Sequence, residues 1–216
     1  MPRRLVMSRL SIHLAFLACV ALAACDDDDA RYACENGHCY CTGDDRCQIP
    51  CYAPPCHIDC VGDEVACTAE CGNGSCLCGG GAECAFGCQS PPCHVRCEEG
   101  ASCTGTCANG SCNCQRGASC AFDCQSGPCH VQCAGDNASC EGECSNGSCT
   151  CGPSSACRFT CLDGNCSASC GAGSSCVLEC PNGRAGERGC DFERCEGGAT
   201  VCPRGDAVTC GAPCPS

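Results

Sequence analysis

Apolar and polar positions alternate along most of this chain in runs too short for a helix. The clearest runs are five residues long and bounded by cysteine, as in Cys120-Ala-Phe-Asp-Cys124 and Cys129-His-Val-Gln-Cys133. Read with a period of two, Cys120, Phe122 and Cys124 share one face, and Cys129, Val131 and Cys133 share another. The middle position recurs in three columns: Ile49, Phe86, Phe122, Phe159; then Ile58, Val95, Val131, Ala168; then Ala69, Gly105, Gly142, Leu178. The positions beside it are mostly polar or small, such as His94 and Arg96, His130 and Gln132, Glu141 and Glu143. This is the signature of half-buried strands, with cysteines and one apolar residue facing in and polar residues facing out. Gly, Pro, Asn and Ser fill the gaps, so each strand ends in a turn and no segment is long enough to sustain a helix.

The strands belong to a repeat. Asn-Gly pairs start at Asn36, Asn73, Asn109, Asn146 and Asn182, spaced by 37, 36, 37 and 36 residues. The spacing C-x3-C-x4-C-x-C-x5-C-x3-C-x4-C-x3-C runs through Cys67, Cys71, Cys76, Cys78, Cys84, Cys88, Cys93 and Cys97. It returns through Cys103, Cys107, Cys112, Cys114, Cys120, Cys124, Cys129 and Cys133, and again through Cys140, Cys144, Cys149, Cys151, Cys157, Cys161, Cys166 and Cys170. The repeat region is therefore 34–180, divided into 34–66, 67–102, 103–139, 140–175 and the start of a fifth copy, 176–180. In 181–216 the spacings widen and Arg184, Arg188, Arg194 and Arg204 cluster, which reads as a divergent end segment capping the last coil. The expected fold is all-β, a narrow, disulfide-rich β-solenoid with coils of about 18 residues, two strands per coil and two coils per repeat. Equivalent positions one repeat apart would then lie about 10 Å apart. The alternative is a string of disulfide-stapled β-hairpins, because Asn-Gly is also a hairpin signal. That arrangement would resemble tandem epidermal-growth-factor-like beads, whose aromatic-Gly signature before the last cysteine is missing here.

Composition bears on what holds such a fold together. Of 216 residues 40 are cysteine, none is tryptophan and aromatics make up 4%, so covalent links must replace much of a conventional core. No two cysteines are separated by two residues, which removes the common zinc-knuckle and thioredoxin-type patterns. Structural disulfides are the expectation. Their connectivity stays open: inward cysteines could pair across the flat coil or up the stack.

The N-terminus carries Arg3, Arg4 and Arg9, then the apolar run LSIHLAFLACVALAA, too short and wrongly flanked for a stable span. It ends in Leu22-Ala23-Ala24-Cys25, which resembles the lipobox of bacterial lipoproteins. The resemblance implies removal of 1–24 as a signal peptide and lipidation of Cys25. Cysteine parity agrees: losing Cys19 and lipidating Cys25 leaves 38, an even number. Residues 25–33 form the lipidated cysteine and an acidic spacer, with Asp26 to Asp29 in a row. In enteric bacteria Asp after the lipidated cysteine retains a lipoprotein in the inner membrane, while other groups sort differently. The expected location is the cell envelope, with the outer membrane or cell surface favoured over the periplasmic face of the inner membrane. Net charge is −13 and every basic residue is arginine, a balance that repels nucleic acid.

Candidate chemistry centres on three frames: Cys51-Tyr-Ala-Pro-Pro-Cys-His57, Cys88-Gln-Ser-Pro-Pro-Cys-His94 and Cys124-Gln-Ser-Gly-Pro-Cys-His130. They resemble a variant haem-attachment site of c-type cytochromes. That reading fails on supply: beyond the signal only His38, His57, His94 and His130 remain, and the fourth copy, Cys161 to Ser167, lacks the histidine. His57, His94 and His130 are the candidate metal ligands, although neighbours about 10 Å apart do not converge on one ion. The single Arg204-Gly-Asp206 tripeptide is expected by chance in a Gly-rich chain, and the Asn-x-Ser matches read as turn chemistry. Some insect antifreeze proteins are also cysteine-stapled solenoids, but their threonine array is missing. No nucleophile–base–acid set recurs, so no enzymatic activity and no cofactor are expected. Residues 1–180 together resemble cysteine-rich repeat lipoproteins from Gram-negative soil bacteria with GC-rich genomes. The resemblance implies a non-enzymatic, disulfide-stabilised envelope lipoprotein, a structural or adhesive module anchored in the membrane through Cys25, with a protein or glycan partner. The alternative is a metal- or haem-binding periplasmic carrier.

Overall fold

The computed structural model describes residues 32–216 except 44, 45, 52, 163, 164 and 188, and at 125 and 126 the backbone only. The signal segment 1–24, the lipidation candidate Cys25 and the run Asp26–Asp29 lie outside the described residues. Strands follow one another in chain order: β1 (Ala33–Glu35), β2 (His38–Thr42), β3 (Arg46–Ile49), β4 (His57–Val61), β5 (Ala66–Gly72), β6 (Ser75–Gly79), β7 (Glu83–Ser90), β8 (His94–Cys97), β9 (Ser102–Ala108) and β10 (Ser111–Cys114). They continue with β11 (Ser119–Ser126), β12 (His130–Cys133), β13 (Ser139–Cys144), β14 (Ser148–Cys151), β15 (Ala156–Cys161), β16 (Cys166–Cys170), β17 (Ser175–Glu179), β18 (Cys190–Cys195), β19 (Thr200–Val201) and β20 (Ala207–Cys210). The described residues contain no helix.

Two ten-stranded sheets result. Sheet A runs β1-β2-β4-β6-β8-β10-β12-β14-β16-β18, and sheet B runs β3-β5-β7-β9-β11-β13-β15-β17-β20-β19. The chain alternates between them, one strand in each per coil, and strands stack in parallel from β2 to β18 and from β3 to β17. This is the expected β-solenoid. The string of hairpins is not formed.

The 36–37-residue period comes from coils of two lengths. Register pairs Ala66 with Glu83, Glu83 with Ser102, Ser102 with Ser119, Ser119 with Ser139 and Ser139 with Ala156, giving coils of 17, 19, 17, 20 and 17 residues. Short coils contribute Ser-Cys-x-Cys to sheet A. Long coils start their cysteine two residues earlier, so an apolar side chain takes the position that cysteine holds in a short coil. Hence Val95 stacks on Cys76, Val131 on Cys112 and Ala168 on Cys149. On sheet B the same alternation merges two sequence columns into one: Ile49, Ala69, Phe86, Gly105, Phe122, Gly142, Phe159, Leu178. Each phenylalanine is buried and fills a long coil. Beside Phe86 and Phe122 the neighbouring coils carry only Ala69, Gly105 and Gly142, whereas Phe159 packs between Gly142 and Leu178. A Cβ on Gly105 would lie 2.7 Å from the Phe86 carbonyl oxygen, and one on Gly142 would lie 3.2 Å from Val131 Cγ1.

All 38 cysteines from Cys34 onward are disulfide-bonded. Through the repeat, each pairs with its neighbour in sequence across a corner of the coil, as Cys88–Cys93, Cys97–Cys103, Cys107–Cys112 and Cys114–Cys120 show. Pairing is across the coil, never up the stack. Because the cysteines of successive coils are in register, the staples form one ladder along each edge. Cys78, Cys97 and Cys103 place their sulfurs within 4.8 Å of one another, and so do Cys114, Cys133 and Cys140. Two bonds of the divergent end segment continue the ladders: Cys180–Cys190 along one edge and Cys195–Cys210 along the other, although the latter spans 15 residues.

Asn-Gly serves two geometries. At Asn73, Asn109 and Asn146 the asparagine is left-handed (φ 46°, 47° and 47°) and the chain turns from sheet B to sheet A. There the glycine is required by space, because a Cβ on Gly74, Gly110 or Gly147 would collide with the carbonyl of Cys56, Cys93 or Cys129 in the preceding coil. At Asn36-Gly37 both φ angles are positive, and the pair closes a true hairpin that lays β1 antiparallel on β2. At the other end β20 lies antiparallel on β17 and pairs with the two-residue β19. The edge strand β18 exposes Asp191, Glu193 and Arg194. Short, charged or reversed strands at the ends block further strand addition.

Two outcomes follow. Replacing Phe122 with Ala should cost about 3–5 kcal/mol, confined by nearest-neighbour stacking to adjacent coils. Hydrogen exchange should therefore show lost protection in β9, β11 and β13, with β2 and β18 unchanged. Peptide mapping without reduction should recover Cys88–Cys93 and Cys97–Cys103 as separate small loops, with no bond between stacked cysteines such as Cys84 and Cys103.

Candidate functional site

The outer face of sheet A carries the histidines. The first outward position of each strand forms a column: His38, His57, Ser75, His94, Ser111, His130, Ser148, Ser167, then Asp191. Its alternation has the same origin as that of the core. In a long coil the residue at this pleat follows the corner cysteine and is histidine at 57, 94 and 130 and serine at 167. In a short coil it precedes the cysteine and is serine at 75, 111 and 148, with His38 the exception.

Neighbouring side chains in the column are bonded. His57 Nδ1 lies 2.9 Å from Ser75 Oγ, His94 Nδ1 lies 3.0 Å from Ser111 Oγ, and His130 Nδ1 lies 2.8 Å from Ser148 Oγ. Each imidazole is thus oriented by the coil that follows it. The structure does not bring His57, His94 and His130 together: Ser75 stands between the first two and Ser111 between the last two. It does stack His38 on His57, with ring centroids 4.6 Å apart and planes 19° from parallel. The sequence reading missed this contact. Its signal was the alignment of His38-Cys-Tyr-Cys41 with Ser75-Cys-Leu-Cys78, which puts a histidine where later short coils have serine.

The three haem-like frames are corners. Cys51 is bonded to Cys56, Cys88 to Cys93 and Cys124 to Cys129, so the thiols that would take haem vinyl groups are joined to each other. The sulfur clusters along the ladder are likewise disulfides, not thiolates, and thiolates are what bind soft metals.

The second outward column of sheet A runs Tyr40, Asp59, Leu77, Arg96, Asn113, Gln132, Thr150 and Ser169. Tyr40 is 46% exposed and stands beside the histidine pair. Arg96 pairs with Glu98 at 3.3 Å, on a surface where such a bond contributes little. Elsewhere, an open groove of about 570 Å³ lies at the C-terminal end, lined by Arg158, Glu179, Arg204, Asp206 and Ser216. Arg158 and Glu179 pair there at 3.5 Å. The Arg204-Gly205-Asp206 tripeptide forms the turn between β19 and β20, with Gly205 at φ 74°. Arg158 and Arg204 come from distant parts of the chain, so no local motif announces the groove.

No family model matches this chain, and no curated protein and no solved structure matches it either. The arrangement itself is a rigid, regularly spaced polar face on a covalently stapled body.

Proposed function

We propose that the chain is a non-enzymatic structural module, tethered to the cell envelope by lipid on Cys25 and presenting the outer faces of its sheets to a protein or glycan partner. The observation that carries this reading is the pair of disulfide ladders. Thirty-eight paired cysteines favour an oxidising compartment, and they link the body covalently from end to end. The Leu22-Ala23-Ala24-Cys25 sequence supports export with a lipid anchor, and the acidic run after it supports a solvated spacer between membrane and rod. The acidic balance disfavours nucleic acid as partner.

Cell fractionation with Cys25→Ser tests the anchor. The native chain should sediment with membranes and the variant should be soluble; a soluble native chain overturns the tether. Intact mass with alkylation before and after reduction tests the staples. The body should take up no alkyl groups on these cysteines before reduction and 38 afterwards. Thirty-eight accessible thiols before reduction would overturn the stapled module.

A further inference from the structure

We propose that Glu35, His38 and His57 form a surface site for a late first-row divalent cation such as Zn²⁺ or Cu²⁺, at the N-terminal end of sheet A. Three adjacent strands place the three residues in one row. Glu35 is paired with His38 across the β1–β2 hairpin, and His38 is paired with His57 across β2–β4. Directly paired residues share a sheet face, so the carboxylate and both imidazoles project to the same side.

The two rings are 4.6 Å apart by their centroids. Nitrogens bound at 2.0–2.1 Å around a tetrahedral ion lie about 3.3 Å from one another. The side chains as placed do not bring all three ligand atoms within 4.8 Å of one another, and the nearly parallel rings must turn about their side-chain torsions until both face one ion. His57 Nδ1 lies 2.9 Å from Ser75 Oγ, and with Nδ1–H donating there Nε2 becomes the ligand atom. A ring nitrogen donating to an oxygen while the other binds metal is the usual arrangement for histidine ligands, since it fixes the tautomer. Two imidazoles and a carboxylate form a donor set suited to zinc or copper. With every described cysteine in a disulfide, thiolates in the described residues do not compete for the ion.

The same column supplies the control. His94 and His130 have the same serine bond at Nδ1, yet each has serine as its column neighbour on both sides. They offer one imidazole each and no second ligand in their row. The proposal therefore separates histidines that are chemically alike by their neighbours alone, and it does not depend on the lipid anchor.

Calorimetric titration of Zn²⁺ into the full, oxidised chain free of any affinity tag tests it. We expect one site. His38→Ala and His57→Ala should each weaken it at least tenfold and Glu35→Gln severalfold, whereas His94→Ala and His130→Ala should leave it within twofold. All five positions lie on the surface, and an unchanged disulfide map verifies each variant's fold. With Cu²⁺ as probe, nitrogen hyperfine splitting in the electron paramagnetic resonance spectrum should report two imidazoles, falling to one in His38→Ala. No zinc binding by the native chain, equal losses for all four histidine variants, or unchanged affinity in Glu35→Gln would overturn the three-ligand site.

Discussion

Each corner of the coil is closed by a cystine whose Cα atoms lie close to 6 Å apart, as at Cys88–Cys93 (6.0 Å) and Cys97–Cys103 (6.1 Å). Packed sheets ordinarily stand about 10 Å apart, so a body pinned at both edges to this shorter span has a thin interior. One row of side chains from each sheet is all it holds. The constraint propagates inward: Phe122 lies between Gly105 and Gly142, which give its ring room. It also explains how the chain manages without tryptophan and with only five phenylalanines. Cystine sulfur is itself the main apolar filling.

The staples are local as well as numerous. Closing a loop of about six residues restricts the unfolded chain by about 2 kcal/mol in the chain-entropy picture, less than closing a loop the length of a coil would. What short loops supply instead is accessibility during folding. Each corner pairs cysteines five to seven residues apart through most of the repeat, and each strand pairs with one a single coil away. Low sequence separation favours stepwise growth of a stacked array over a global search. The C-terminal end shows that register, not spacing, selects partners. Cys195 and Cys210 are 15 residues apart, yet they occupy the next rung because β18 and β20 continue their sheets.

Much of this was legible in the sequence because a period of two and a fixed cysteine spacing are one-dimensional signals. Strand positions, inward cysteines, the apolar middle residues and a coil near 18 residues could all be read directly. Other features required knowing which coil sits on which. Two core columns proved to be one because short and long coils alternate, something visible only in register. Disulfide pairing was undetermined because across-coil and up-stack partners lie at similar distances in any tight solenoid. Asn36-Gly37 and Asn73-Gly74 look identical in sequence and differ in role, since the dipeptide supplies a left-handed bend and the surrounding pairing decides what it bends toward. In the groove at the C-terminal end, residues meet only through the antiparallel return of β20.

The histidine column follows from the same geometry as the core. A two-residue shift of the corner cysteine in the long coils at 93 and 129 places valine where cysteine would point inward, and it places histidine where serine would point outward. The His–Ser alternation from Ser75 to Ser148 is thus tied to coil length, and each imidazole is separated from the next by a full repeat. Position 38 departs from this rule. Its coil contributes His-Cys-x-Cys, the short-coil pattern in which serine occupies the outward site at 75, 111 and 148. The core contacts made through Cys39 and Cys41 are indifferent to the residue before them, and a serine there would complete the same strand. The imidazole of His38 is therefore not demanded by packing, and its position against His57 separates the first coils from all those that follow.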